Sequence, residues 1–577
     1  MKTGFLVSLV GGINVAAHAF HVNDAFCGIT YQGIERDGLQ YFYGIPYGQD
    51  TSGENRFKPP RLFVPAPGSI IDATKPGVAC PQALGKSSPP LGQGNVTEVS
   101  EDCLNLNVVR PKLNATHGYG KLPVMVWIHG GSFWWGSNME PTFNPDGLIR
   151  QSVEGGHPVI HVAMNYRLGF FGFTQSESLK EEGSENAGLR DQRLAIEWVR
   201  DNIEIFGGDP ENVTIFGQSS GGLAIGMHIL AYGGTKPLPF QRGIAESQSL
   251  EPGITGNFSR DALSALVDYV GCNTTDLQAA DTISCLRGMD TETLLNASIT
   301  TYASDIGHNV GDIWLPAVDG DFLPAPPSQL IDEGRFGKAE FMSGWTQDDL
   351  NFYTNVSIAT SGDTYNFVRA YLPAMPQESL DNLLSMYPVT EFAPPSGTNL
   401  TAEFYRSARI FRDILMVCPS LYLGAAVHKT YGEPVYHYDF NQTILDPILE
   451  HTINVSHLGV VHTSEFAYVF GTVEAYNNSG NPINLTASDY ALQERASRSW
   501  SAFATTGDPT QAGEVSIQGW LDAYSTPNQT HVMTVGGPWE GWWPLSGAGS
   551  PDVVSKQKLV KRCAFLNSPE IIQGLQY

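Results

Sequence analysis

Val213–Gly222 reads VTIFGQSSGG. The β-prone run Val213–Phe216 meets Gly217-Gln218-Ser219-Ser220-Gly221, and small residues with a helix-like segment follow. The pattern predicts a strand, a sharp turn and a helix start, with Ser219 at the apex. Glycines on both sides let strand and helix approach closely, and the strained turn pushes the Ser219 hydroxyl into the open above a helix N-terminus. In a chain with 61 glycines, a G-x-S-x-G match is weak evidence alone. Its weight rests on the structural context around it.

Working outward, Leu189–Phe206 (LRDQRLAIEWVRDNIEIF) has apolar residues at helical spacing, and Gly207-Gly208-Asp209-Pro210 stops it. Upstream, Val124–Ile128 is a β-rich run ending in His129-Gly130-Gly131-Ser132-Phe133. Val159–Met164 is another, ending in Asn165-Tyr166-Arg167-Leu168-Gly169. Shorter strands are expected at Gly38–Gly44 and Ser100–Val108. Strand, helix and strand in this order predict a parallel α/β architecture. No linker, repeat or low-complexity tract divides residues 20–577, so they are read as one domain with insertions.

The composition, 42% hydrophobic and 16% charged, is that of a globular chain. A formal charge of −26 argues against nucleic acid and anionic membrane surfaces as partners. Met1–Ala19 reads as a secretory signal peptide, with Lys2 at its start, an apolar centre and Ala17-His18-Ala19 as the cleavage site. Secretion and N-linked glycans are therefore expected, because Asn-x-Ser/Thr sequons recur from Asn95 to Asn528. No other stretch reads as long and apolar enough to span a bilayer, and no C-terminal lipid-anchor signal is seen.

Taken together, SEDCLNLNV, WIHGGSF, NYRLGFFGF, the long run from Asn186 to Gly222 and LGVVHTSEFAYVFG resemble the type-B carboxylesterase/lipase family. This is the cholinesterase-like branch of the α/β-hydrolases, and the likeness is to secreted fungal esterases. The resemblance covers about Tyr31 to Phe565. It implies a large, mostly parallel sheet flanked by helices, hydrolysis of small-molecule esters, and no cofactor or metal.

Such chemistry needs a nucleophile, a base, an orienting acid and an oxyanion hole. Ser219 is the nucleophile candidate. His462, in GVVHT, matches the family's histidine. The acid should lie between them in the chain. FMSGWTQDDLNFY (Phe341–Tyr353) resembles the family's acid loop, with an aspartate for the usual glutamate and Leu350 for the following glycine. Asp349 is favoured over its neighbour Asp348. By position, the backbone amides of Gly131, Ser132 and Ser220 would form the oxyanion hole, with Ser132 replacing a family glycine. Phe133, Trp134 and Trp135 are expected beside the acyl group.

The chain has seven cysteines. The resemblance implies the pairs Cys80–Cys103, Cys272–Cys285 and Cys418–Cys563, which leave Cys27 over. It also implies two bracing ion pairs, Arg56 with Glu101 and Arg167 with Asp191. The loop between Cys80 and Cys103 carries no aromatic residue, and Gln218 stands where cholinesterases have glutamate, so a choline-type cation site is not expected. The same loop is rich in Pro, Gly and Ser, unlike the apolar lid of fungal lipases. Soluble or moderately apolar esters are therefore favoured over triglycerides, with a lipase as the alternative. A non-catalytic adhesion or scaffolding protein is the distant one. An apolar lid supplied by Phe367–Met386 would weaken the esterase preference.

Overall fold

Strands β7 (Asn105–Pro111), β8 (Leu122–Ile128) and β9 (Ile160–Met164) are buried at every residue. Burial on both faces is what a parallel sheet between helical layers requires. The computed structural model describes residues 18–24, 28–86, 91–112, 120–273, 276–309, 313–477 and 483–577. Cys27 and most of the expected signal peptide lie outside these. The first strand, β1 (His18–Asn23), begins one residue before the end of the expected cleavage motif.

The other strands are β2 (Thr30–Arg36), β3 (Leu39–Pro46), β4 (Ile70–Asp72), β5 (Gly85–Lys86), β6 (Asn95–Val96), β10 (Gly208–Gln218), β11 (Arg242–Glu246), β12 (Glu340–Thr346), β13 (Val435–Phe440), β14 (His531–Val535) and β15 (Gly541–Pro544). The main sheet runs β1-β2-β3-β7-β9-β8-β10-β11-β12-β13-β14-β15, with β4 on β2. Pairing is parallel from β9 through β14 and antiparallel at both ends. From β8 the chain steps outward to β9, then crosses back to β10. The strand ends beside such a reversal form a crevice where α/β folds place ligands. Ser219 follows β10 directly.

The structure moves several expected boundaries. The long helix is Ala187–Asn202, and its last part tightens into a 3₁₀ turn, Ile203–Phe206. Gly207 caps that turn at φ +81°, a conformation favouring glycine. Strand β10 starts at Gly208, earlier than Val213, and accommodates Pro210 through a register shift against β8. In SEDCLNLNV the strand begins only at Asn105. Cys103 is bonded to Cys80, and Glu101 turns to Arg56, so the preceding residues are taken out of the sheet.

Two further corrections concern apolar segments. Helix Ala402–Tyr431 is long and apolar enough by composition to cross a membrane, contrary to the expectation that no such stretch exists. Its apolar stretch is 83% buried inside the molecule, which marks a core helix. Phe367–Met386 forms parts of two short helices whose apolar residues pack inward, Phe367 and Tyr371 against Phe411, with Leu380 and Leu383 fully buried.

Candidate active site

Ser219 sits at φ +59°, ψ −129°, outside the regions an L-residue ordinarily occupies. Such a conformation costs about 1–3 kcal/mol and persists only where neighbours enforce it. Here the Ser219 N–H donates to the Glu246 carbonyl at 2.9 Å, and the Ser219 carbonyl accepts from Leu223 N–H at 2.9 Å as helix Ser220–Leu230 begins. A Cβ on Gly221 would lie 2.1 Å from the Ile128 carbonyl oxygen. Only glycine lets this helix start approach β8 so closely.

His462 is brought in from the loop after the 446–453 helix. Its Nδ1 lies 2.5 Å from Asp349 Oδ1, and its backbone N–H donates to the Asp349 carbonyl at 3.0 Å. The other Asp349 oxygen accepts from Thr346 N–H at 2.9 Å. Both side chains are buried. A carboxylate on Nδ1 fixes the tautomer with its proton there, leaving Nε2 as the basic nitrogen. Nε2 contacts the Gln218 side-chain amide at 2.9 Å. Ser219 and His462 face the same cavity, and among the described residues His462 Nε2 makes its hydrogen bond with Gln218, not with Ser219. Asp348 turns away. It accepts from Val460 N–H at 3.1 Å and lies 4.0 Å from Arg409.

The 129–135 loop wraps the opposite side of Ser219. Gly131 has φ +110°, and Ser132 and Phe133 both adopt left-handed values near +54°. Serine thus tolerates the angles where the family has glycine, at about 1–2 kcal/mol for each non-glycine residue. The loop is held by Phe133 N–H donating to Ser220 Oγ at 3.1 Å and by Trp134 and Trp135 N–H donating to the Gly131 carbonyl. Among the described residues, no protein acceptor pairs with the amides of Gly131, Ser132 or Ser220. His129 is buried with its ring stacked on Tyr166, and burial pushes its pKa down to about 4.

The cavity measures about 220 Å³ and is walled by Leu91, Trp135, Phe143, Tyr302, Tyr353 and Phe466 around Ser219 and His462. Of the three aromatics expected there, only Trp135 lines it. Phe133 stacks on Phe173 in the core, and Trp134 stacks flat on Tyr302 at 4.0 Å. The expectation failed because backbone turns at Ser132 and Phe133 send successive rings in different directions.

Sequence reasoning missed two buried acids. Glu246 ends β11 and accepts from Trp500 Nε1–H at 2.7 Å, while its other oxygen has no partner among the described residues. Neither oxygen of Glu465, three residues after His462, has one. Burial raises Glu246 to about 8; burial, then the charges of Glu246 and Asp349, hold Glu465 well above the usual carboxylate range. Burial and the repulsion between neighbouring carboxyls thus favour the protonated forms of this pair. With 59 acidic residues, only the position of Glu465 one turn past His462 offered any signal.

The cysteines form Cys80–Cys103, Cys272–Cys285 and Cys418–Cys563 disulfides. Arg56 pairs twice with Glu101, and Arg167 twice with Asp191, all four side chains buried. Such forked, buried pairs fix geometry, and loss of one partner strands a charge. They brace the loops flanking the cavity.

A profile of the carboxylesterase family matches residues 26–540. A protein of Arthroderma benhamiae named "Secreted lipase ARB07186/07185" is 48% identical over 549 residues, covering 95% of this chain and 94% of its own. "Inactive carboxylesterase-like protein VdtD" of Byssochlamys spectabilis is 33% identical, again over 95% and 94%. Among solved structures, Aspergillus niger EstA superposes with a TM-score of 0.75 at 24% identity, covering 96% of this chain and 99% of its own. A p-nitrobenzyl (PNB) esterase gives 0.73 at 26%, covering 93% and 98%. The chain therefore belongs to the carboxylesterase family of α/β-hydrolases and is a carboxylic ester hydrolase by that membership.

Proposed function

We propose that this protein is a secreted, glycosylated serine carboxylesterase in which residues 20–577 act as one catalytic domain. Ser219 attacks the ester carbonyl, and His462 Nε2 takes its proton. Asp349 holds the resulting imidazolium. The amides of Gly131, Ser132 and Ser220 stabilise the oxyanion. The alcohol leaves with the proton from His462; water, activated by the same nitrogen, then hydrolyses the acyl-enzyme and frees Ser219. The observation that carries this reading is the Asp349–His462 contact, which leaves Nε2 basic inside the cavity that Ser219 lines. Gln218 must yield to Ser219 when substrate enters, in keeping with catalytic hydrogen bonds that tighten only in the complex. The N-terminal signal reading, three disulfides and the secreted relative support export.

The preferred substrates are soluble or moderately apolar esters. A lipase is the second reading, favoured by the name of the 48% identical relative. The apolar residues of the 367–386 insertion pack inward in this structure, and release of that segment at an interface would favour the lipase. Interfacial activation needs apolar area to expose, at about 25 cal/mol per Å². The test is hydrolysis of tributyrin across its solubility limit, beside triolein and a panel of p-nitrophenyl esters. Smooth saturation with little triolein turnover is expected. A several-fold rise at the interface would establish the lipase, and no hydrolysis of any ester would refute both readings.

A further inference from the structure

Part of the cavity wall comes from the disulfide loop 81–102. Among its described residues, only Leu91 and Gly92 line the cavity. Leu91 is 4% exposed and shares the cavity lining with Phe143 and Phe466. Two pins tie this loop to the segment that follows the 129–135 turn. At one, the Gln82 amide donates to the Gly136 carbonyl at 2.7 Å and accepts from Gly136 N–H at 2.9 Å. At the other, the Glu140 carboxylate collects backbone N–H groups. Oε1 accepts from Gln93 at 2.8 Å, Gly94 at 3.0 Å and Thr142 at 3.3 Å, and Oε2 accepts from Gly94 at 2.8 Å. Hydrogen bonds to an ionised acceptor are about twice as strong as neutral ones.

A second, solvent-open pocket of about 300 Å³ is lined by Gly94–Glu98 and by the 136–140 segment. Glu140 lines both this pocket and the cavity that holds Ser219. The two loop amides it fixes, of Gln93 and Gly94, follow Leu91 by two and three residues.

We propose that Glu140 is a positioning residue that sets ester selectivity by pinning Leu91 as the wall of the catalytic cavity. The proposal rests on the ester-hydrolase reading above. Leu91→Ala removes the wall, and Glu140→Ala lets it withdraw, so both admit larger groups by the same route.

The experiment is a double-mutant cycle on the full-length protein. kcat/KM is measured for p-nitrophenyl acetate, p-nitrophenyl hexanoate and naphthyl acetate, and titration with a fluorophosphonate counts competent sites. Leu91→Ala should raise the ratio of one enlarged ester to p-nitrophenyl acetate by about tenfold, the scale of a small change in an apolar pocket. Glu140→Ala should move the same ratio in the same direction, and the double variant should match the larger single effect. Glu140→Gln, which keeps one neutral acceptor for three amides, should give a smaller shift and covers the case in which Glu140→Ala fails to fold. Unmoved ratios with acetate turnover retained would overturn the proposal and leave the ester-hydrolase reading standing. Multiplicative effects in the double variant would show that Glu140 acts on substrate directly, and would overturn it too. Absence of hydrolysis by the wild type would remove the reading beneath it.

Discussion

The proposed catalytic centre and the cavity wall are built differently. Ser219 follows β10 and Asp349 follows β12, with β11 between them; His462 N–H is bonded to the Asp349 carbonyl, and each of the three is tied by backbone hydrogen bonds. Leu91 comes from the disulfide loop, where Glu140 ties the nearby Gln93 and Gly94 amides, and Tyr302 comes from helix Thr291–Asn309. On the proposed reading, one part of the molecule sets the reaction and another sets what enters. Changes at the centre should abolish turnover for every ester, whereas changes at the wall should reorder esters.

The largest effect expected is at the nucleophile. Ser219→Ala should lower kcat by about 10⁴–10⁶ across the whole ester panel while secretion and thermal stability persist. Steady-state kinetics on purified protein check this, and an ester-dependent loss would erase the distinction between centre and wall.

A smaller effect separates two adjacent acids. Asp349→Asn should cost at least about 10²-fold in kcat, because an amide no longer enforces the tautomer with Nε2 bare. Asp348→Asn should stay within about tenfold, since that carboxylate faces Val460 and Arg409 instead. Measured side by side, the reverse ranking would transfer the role to Asp348.

These two neighbours also show how far the chain could be read before its structure was known. The elbow at Ser219, the strands leading to His129 and Asn165, and the histidine in GVVHT are local patterns, so the parallel sheet and the candidate residues now found around one cavity were legible. The choice between Asp348 and Asp349 depends on which carboxyl faces His462, which a strand pattern cannot reveal. The contact between Gln218 and His462 joins residues 244 apart. The loop 81–102 read as too polar to serve as an apolar lid, and its Leu91 nevertheless lines the cavity, a placement that involves contacts across the fold such as Gln93 N–H to Glu140. Phe133 and Trp134 were misplaced because two left-handed residues in succession redirected them. Helix Ala402–Tyr431 was overlooked because arginines 406, 409 and 412 interrupt its apolar run, and folding satisfies them with partners.

The smallest effect concerns the buried acids behind the histidine. Glu246 titrates near 8 in the folded protein and Glu465 well above its usual range, whereas unfolded glutamates titrate near 4.3. The folded state therefore holds protons that the unfolded chain releases. Their contribution to stability is full below about pH 4.3 and declines as pH rises through the folded values, by at most about 1.4 kcal/mol per pH unit for each group. Glu465→Gln keeps the neutral shape and removes one titration. The melting temperature of the variant minus that of the wild type should rise between pH 5 and pH 8. A difference that stays flat or falls would mean that Glu465 is ionised in the fold.

On the proposed reading, Ser219 bears the nucleophilic oxygen of a competent serine hydrolase. Labelling with a fluorophosphonate, followed by intact-mass and peptide mass spectrometry, tests it most directly. One adduct per chain is expected, on Ser219, formed in step with loss of p-nitrophenyl acetate hydrolysis and absent in Ser219→Ala. No adduct, or an adduct on Ser220, would contradict it.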